Sequence, residues 1–326
     1  MWLPTQTLLI STMMLSIMIS ISSNQWFMMW IGLELNMFAF LPILGKANNK
    51  KEISCAPLYL AIQAMSSGLI ITSMLLATTS MSLWSDPLFQ IAILTKAGGP
   101  PAFCWYPNMV LNLSWTNVWI LMTLQKINPI LILALVTKLN YILLILSASM
   151  ALIGGMGGMI QNQIRGILAY SSLTHLAWIL TLTSLNLMMS LNYLMAYLLI
   201  ISALLMLLSK SSMKTHTHLA NISPQSKTII SLLLLSLAGI PPLLGFLPKL
   251  QAINSLIFNS SPMIILILIS GSLMNLYFYL NLMLSSSSSY SSLFLLKSPH
   301  LMKSTTLFTL ALLPLLILIP STWMTL

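Results

Sequence analysis

Leu237-Ala238-Gly239-Ile240-Pro241-Pro242-Leu243-Leu244-Gly245-Phe246-Leu247-Pro248-Lys249 lies inside an apolar run long enough to cross a bilayer, yet three prolines and two glycines interrupt it and a lysine closes it. Proline removes a backbone donor and clashes with the preceding turn, so a helix entering here is expected to break around Gly239, Pro241, Pro242 and Pro248. At membrane depth the carbonyls freed by such a break need partners from protein or water. A broken helix beside a buried cation points to an ion path. The alternative is a kink at a helix–helix contact with Lys249 snorkelling to the surface.

The whole chain has the same character. With 58% hydrophobic and 5% charged residues over 326 positions, it is an all-α polytopic membrane protein and not a soluble domain. No stretch is left for a separate soluble unit, so residues 1–326 read as one membrane domain. The net charge of +10 would suggest nucleic acid in a soluble chain, but here it marks orientation, and no nucleic-acid partner is expected. The first apolar segment starts at Trp2 with no basic leader, which reads as a retained helix. Cys55 and Cys104 have no metal or disulfide spacing around them.

Apolar runs of about 20 residues place spans near Leu3–Ile21, Gln25–Gly45 and Ala56–Thr78. A fourth runs from Leu88 into a break at Gly98-Gly99-Pro100-Pro101. Others follow near Thr116–Val136, Leu139–Ile160, Gly166–Leu185 and Leu191–Ser209. An overlong ninth covers Thr228–Phe258 and contains the stretch quoted above. The last two lie near Pro262–Leu284 and Thr306–Thr325, giving about eleven spans. Ser285–Ser289 with Ser291 and Ser292 reads as a flexible connection. Gly154-Gly155-Met156-Gly157-Gly158 lacks the strand and the Lys-Ser/Thr of a phosphate loop, and close helix packing explains it better.

The charges test this division. Loops after even-numbered spans hold Lys46, Lys50, Lys51, Arg165, Lys210, Lys214, Lys227, Lys297 and Lys303, while those after odd-numbered spans hold only Lys138. By the positive-inside rule the N-terminus and the even loops face the inner compartment, and the C-terminus faces outward.

The break in the fourth span, Ala97-Gly98-Gly99-Pro100-Pro101, echoes Ala238-Gly239-Ile240-Pro241-Pro242 in the ninth. Because the two lie five spans apart, they cross in opposite senses, as in an inverted repeat of spans one to five and six to ten. Repeat A would cover about 1–138, repeat B about 139–284, and a C-terminal helix about 306–325. Corresponding interrupted helices in two halves mark a transport site near the midplane.

Charges fall inside these spans as well. Glu34 lies in the second, Lys96 in the fourth, Lys126 in the fifth and Lys249 beside the break in the ninth. A charge at the bilayer centre costs roughly 2.5–3.5 kcal/mol, so partners and water must offset four of them. Burial and an approaching carboxylate act on a lysine's proton affinity in opposite senses, so a Glu–Lys pair whose spacing changes can release and take up protons. On this reading Glu34 modulates Lys96, Lys126 relays laterally and Lys249 serves an exit half. A static Glu34–Lys96 pair that fixes helix register is the competing reading. His175 fits either a relay or a hydrogen-bonded core position, and His216, His218 and His300 read as solvated.

Four segments carry a family resemblance: Trp30-Ile31-Gly32-Leu33-Glu34-Leu35-Asn36, Gln125-Lys126-Ile127-Asn128-Pro129, Ile153 through His175, and Gly239 through Lys249. On these the chain resembles the antiporter-like subunits of respiratory complex I. The resemblance implies eleven helices in the animal form, which lacks three N-terminal helices of bacterial relatives. It also implies an inner-membrane subunit of mitochondria with its N-terminus on the matrix side and its C-terminus on the intermembrane-space side, among other membrane-arm and accessory subunits and lipids. Glu34, Lys96, Lys126 and Lys249 match the family's hydrophilic axis for proton translocation. That translocation is driven by NADH-to-ubiquinone electron transfer elsewhere, with NADH, FMN, iron–sulfur clusters and ubiquinone on other subunits. The chain departs from the family at Pro101-Ala102-Phe103-Cys104-Trp105-Tyr106-Pro107-Asn108, which lacks the usual histidine and acid, and at Gly166, where a second basic residue is common. The competing functions are a free-standing sodium/proton antiporter and a structural subunit with vestigial ions.

Overall fold

In a computed structural model, residues 4–23, 25–47, 49–79, 82–136, 141–210, 224–241, 243–258 and 262–288 are described. Pro242, Lys138, Lys214, Lys297, Lys303, His216, His218, His300 and the eleventh predicted span lie outside them. The described residues form helices α1 (Pro4–Ser22), α2 (Trp26–Gly45), α3 (Lys50–Ile53), α4 (Cys55–Ala77), α5 (Ser85–Ala97), α6 (Trp105–Asn112), α7 (Trp115–Met122), α8 (Leu124–Val136), α9 (Tyr141–Ile160), α10 (Ile164–Leu185), α11 (Leu187–Lys210), α12 (Pro224–Ala238), α13 (Phe246–Phe258) and α14 (Pro262–Ser288).

Eight helical segments among the described residues are long and apolar enough to cross a membrane, Trp115–Val136 being counted as one of them. The predicted fourth and ninth spans come in two pieces each, α5 with α6 and α12 with α13. Neither piece alone is long enough to span. Two differences from the sequence reading stand out. The fifth span is itself interrupted at Thr123 (φ −110°, ψ −80°), six residues before Pro129, which lies inside α8. And α14 runs through Ser288, so the serine patch begins as helix: once a helix is propagating, each further residue adds a hydrogen bond, and serine tolerates this.

The chain divides into two compact units, residues 1–150 with 180–187, and residues 151–179 with 188–326. In the first, α1 packs on α2, α4 on α5 and α2, and α8 on α1 and α5. Gly32 allows the closest approach, since a Cβ there would sit 2.9 Å from the Ser16 carbonyl oxygen and from Ser20 Cβ. In the second unit a Cβ at Gly154 would meet Thr174 Cγ2 at 2.6 Å and one at Gly158 would meet Phe278 Cε1 at 2.5 Å. The glycine run of α9 is therefore a packing seam.

Polarity is inverted relative to a water-soluble fold. Leu8, Met14, Leu15, Met18, Met65 and Leu75 are exposed, while Ser16, Ser20, Asn36, Gln63, Ser66 and Asn128 are buried. The buried hydroxyls cost little, because Ser16 donates to the Met13 carbonyl, Ser66 to Gln63 and Ser73 to Ile70, each within its own helix.

The tightest backbone approach gives a stability prediction. A Cβ at Gly245 would lie 1.8 Å from the Ser236 carbonyl oxygen, a backbone atom that cannot rotate away. Gly245→Ala is expected to cost about 1–3 kcal/mol or more through overpacking, read as reduced assembled protein on native gels and a lower melting temperature.

Candidate functional site

Each break is built by the same local device. The helix α5 ends at Ala97, Gly98 takes φ +93°, and the Gly98 and Gly99 amides fold back onto the Thr95 and Leu94 carbonyls at 3.2 and 2.7 Å. The helix α12 ends at Ala238, and Gly239 takes φ +82°. Left-handed backbone at a helix end belongs to glycine, which has no Cβ to clash with the following carbonyl. Pro100 and Pro101 sit in the first gap and Pro241 in the second. Pro248 does not contribute to its gap: it lies in the first turn of α13, where a missing N–H costs no helical bond.

Within the first unit three of the sequence-flagged charges come together. Lys96 Nζ donates to Glu34 Oε1 at 2.8 Å, an ion pair whose lysine side chain is 2% exposed and whose glutamate is 14% exposed. Lys126, in the first turn of α8, is 1% exposed, and its Nζ stands 4.5 Å from the centre of the Tyr106 ring. The negative face of an aromatic ring is a favourable neighbour for an ammonium. A single cavity of about 10 Å³ is lined by Lys96 and Lys126 together with Tyr59, Gln63, Trp105, Tyr106, Leu121 and Gln125, room for about one water molecule.

Neutral polar groups join these charges. Tyr59 Oη donates to Gln125 Oε1 at 2.9 Å, and Gln125 Nε2 donates to Asn36 Oδ1 at 3.1 Å. Gln63 Nε2 donates to the Lys96 carbonyl at 3.3 Å, and Trp105 Nε1 to the Thr95 carbonyl at 3.2 Å. Ser20 Oγ donates to Asn128 Oδ1. Segments 30–36, 96–101 and 125–129, far apart in sequence, thus meet around one point.

The second unit holds the other two flagged residues. Lys249, buried on α13, donates to the Ala238 carbonyl at 2.7 Å and to the Leu237 carbonyl at 3.4 Å. These oxygens end α12, so the lysine satisfies backbone that the break released and places its charge at the negative end of a helix dipole. A Cβ on Gly239 would sit 2.7 Å from Lys249 Nζ. His175, buried on α10, has Nδ1 3.1 Å from Tyr193 Oη and its ring 5.2 Å from that of Tyr197.

Tyr59, Gln63 and Tyr106 were not singled out from sequence. Tyr59 and Gln63 sit one turn apart on α4, a polar stripe in an apolar helix that periodicity could have revealed. Tyr106 lies where the chain departs from the family pattern, and only folding sets it against Gly98 and Lys126. Among the described residues no group of three or more His, Cys, Asp or Glu could hold a metal ion.

The family described as NADH:quinone oxidoreductase/Mrp antiporter, transmembrane, matches residues 23–275. NADH-ubiquinone oxidoreductase chain 2 of Lumbricus terrestris is 38% identical over 293 residues, 87% of this chain and 87% of its own. The protein of the same name from Loxodonta africana is 34% identical over 317 residues, 93% and 90% of the two chains. A chain of respiratory complex I from Thermus thermophilus has the same fold, with a TM-score of 0.84 at 18% identity over 99% of this chain and 79% of that one.

The ion pair gives a testable consequence. Removing one partner of a buried pair strands the other, a loss of up to about 3–5 kcal/mol when burial is complete; with Glu34 partly exposed the cost is expected at or below the lower end. Glu34→Ala should destabilise the protein more than Glu34→Ala combined with Lys96→Met, measured by thermal unfolding in detergent.

Proposed function

We infer, from the premise that this chain belongs to the NADH:quinone oxidoreductase/Mrp antiporter family of transmembrane subunits, that it is a proton-translocating membrane subunit of respiratory complex I. Electron transfer from NADH to ubiquinone on other subunits drives proton transfer through it, and NADH, FMN, iron–sulfur clusters and ubiquinone stay on those subunits. Its place is the mitochondrial inner membrane, among membrane-arm and accessory subunits and lipid. Relatives at 34–38% identity over most of both chains bear the complex I name, which favours this reading over a free-standing sodium/proton antiporter.

The observation that carries the mechanism is the small cavity lined by both Lys96 and Lys126. One water there, with Tyr59 and Gln125 alongside, links two ammonium groups through hydrogen-bonding partners. When Glu34 moves away from Lys96, the lysine loses its counter-charge and gives up its proton. When Glu34 returns, the lysine takes one up. Lys126 relays the proton laterally, and in the second unit Lys249 serves the exit half with His175 as a relay member. At the second break Gly239 and Pro241 keep the Leu237 and Ala238 carbonyls available to Lys249, and Gly98, Gly99, Pro100 and Pro101 form the corresponding break beside Lys96.

The finer architecture is part of the same proposal: eleven helices, two inverted five-helix repeats of about 1–138 and 139–284, a C-terminal helix at about 306–325, a matrix N-terminus and an intermembrane-space C-terminus. The shared Ala-Gly ending of α5 and α12 with positive φ at each glycine supports the repeat. The distribution of Lys and Arg among the loops supports the orientation.

Lys126→Met should leave assembly intact and lower the protons pumped per NADH oxidised in proteoliposomes. An unchanged ratio would return the charges to a structural role. Glu34→Gln should shift the pH profile of NADH:quinone turnover relative to the parent, and superimposable profiles would remove Glu34 from the mechanism.

A further inference from the structure

The proton axis leaves one buried carboxylate unused. Glu52, on the single turn α3, is 2% exposed. One of its oxygens, Oε1, accepts from the Ser114 backbone amide at 3.1 Å, from Ser114 Oγ at 2.8 Å and from the Asn117 side-chain amide. Ser114 is the N-cap residue just before α7, and Asn117 is in its first turn. The Ser114 side chain makes no capping bond to its own helix, so a glutamate 62 positions away in sequence does the capping. Next to it, Cys55 at the start of α4 donates its thiol to the Lys51 carbonyl at 3.3 Å, and both α3 and α4 pack on α6. The α3–α4 junction therefore holds the start of α7 by hydrogen bonds and α6 by packing.

That corner matters because of what hangs from it. Trp105 and Tyr106 on α6 and Leu121 on α7 form walls of the cavity between Lys96 and Lys126, and the Tyr106 ring is the face against which the Lys126 ammonium rests. Both helices are eight residues long. The second of them ends at the Thr123 interruption, so neither is anchored by a long helical frame. A carboxylate at the start of such a short helix satisfies the Ser114 amide and complements the helix dipole.

We propose that Glu52 is a positioning residue for the Lys126 step: by clamping the α6–α7 corner through Ser114 and Asn117, it fixes the walls of the Lys96–Lys126 cavity. It neither carries the proton nor touches either lysine. The link to pumping rests on the proton-transfer reading above, whereas the clamp itself does not.

The test uses the intact complex bearing Glu52→Ala, Glu52→Gln or Asn117→Ala, with Lys126→Met in parallel. It has two readouts, amide hydrogen exchange over residues 113–122 and protons pumped per NADH oxidised. Glu52→Ala should speed exchange at the start of α7 and lower pumping about threefold or more, since small misplacements at a reacting site are costly. Glu52→Gln keeps an oxygen that can accept from the same donors and should hold both readouts near the parent. Asn117→Ala should speed exchange less than Glu52→Ala, and it covers the case in which Glu52→Ala does not assemble. Parental exchange in Glu52→Ala, or in Asn117→Ala where Glu52→Ala does not assemble, overturns the clamp. Pumping lost as fully in Glu52→Gln as in Glu52→Ala, with parental exchange in Glu52→Gln, would make Glu52 a proton carrier and overturn the positioning role. Failure of the underlying reading shows separately, as unchanged pumping in Lys126→Met while exchange still reports the clamp.

Discussion

An ammonium placed at membrane depth must be given electron density by the protein, and where this chain supplies it determines which helices can stay whole. Lys96, Lys126 and Lys249 are each answered differently. Lys96 has a carboxylate at 2.8 Å, Lys126 an aromatic face at 4.5 Å, and Lys249 two backbone carbonyls at 2.7 and 3.4 Å. The cost of burying such a group is several kcal/mol unless it is met in this way. Those three contacts tie α2 to α5, α6 to α8, and α13 to the end of α12.

The breaks and the charges are one feature seen twice. An unbroken helix spends its carbonyls internally and has none to offer a cation. Ending α12 at Ala238 releases oxygens, and turning the chain at Gly239 with φ +82° brings Lys249 back onto them. A side chain on Gly239 would meet the lysine's own ammonium, so the residue that permits the turn also leaves room for the charge. At Gly98 the same backbone conformation lets Tyr106 lie against the turn, where a Cβ would be 2.9 Å from the ring. That ring then reaches Lys126.

Much of this was legible in the sequence, for reasons that also mark the limit. Spans announce themselves by composition, because lipid excludes charge over about 20 residues at a time. The breaks at Gly98-Pro101 and Gly239-Pro241 follow from glycine and proline chemistry together, and Glu34, Lys96, Lys126 and Lys249 stand out because ions are scarce in such segments. The interruption at Thr123 was hidden, since Pro129 lies six residues beyond it inside α8 and nothing at Thr123 itself announces a break. Glu52 was passed over because it sits at the edge of a basic loop with Lys50 and Lys51, where a glutamate is ordinarily solvated. Its burial depends on Ser114 and Asn117, and no local pattern encodes a partner 62 positions distant.

The three lysine environments also differ in what survives when a proton leaves. Neutral lysine still has two N–H donors, so Lys249 can keep its bonds to the Ala238 and Leu237 carbonyls in either state, and the break it caps need not move. Lys96 has no such freedom: its partner is charged, so neutralising it leaves Glu34 with a donor but no counter-ion, and any change at one is felt by the other. Lys126 faces a ring whose attraction is for the cation specifically, so proton loss weakens that contact beside the adjoining cavity. A rigid cap, a coupled pair and a releasable contact are three distinct mechanical responses to the same chemical event. Their placement on a broken helix, an ion-paired helix and a kinked helix gives each response a backbone suited to it.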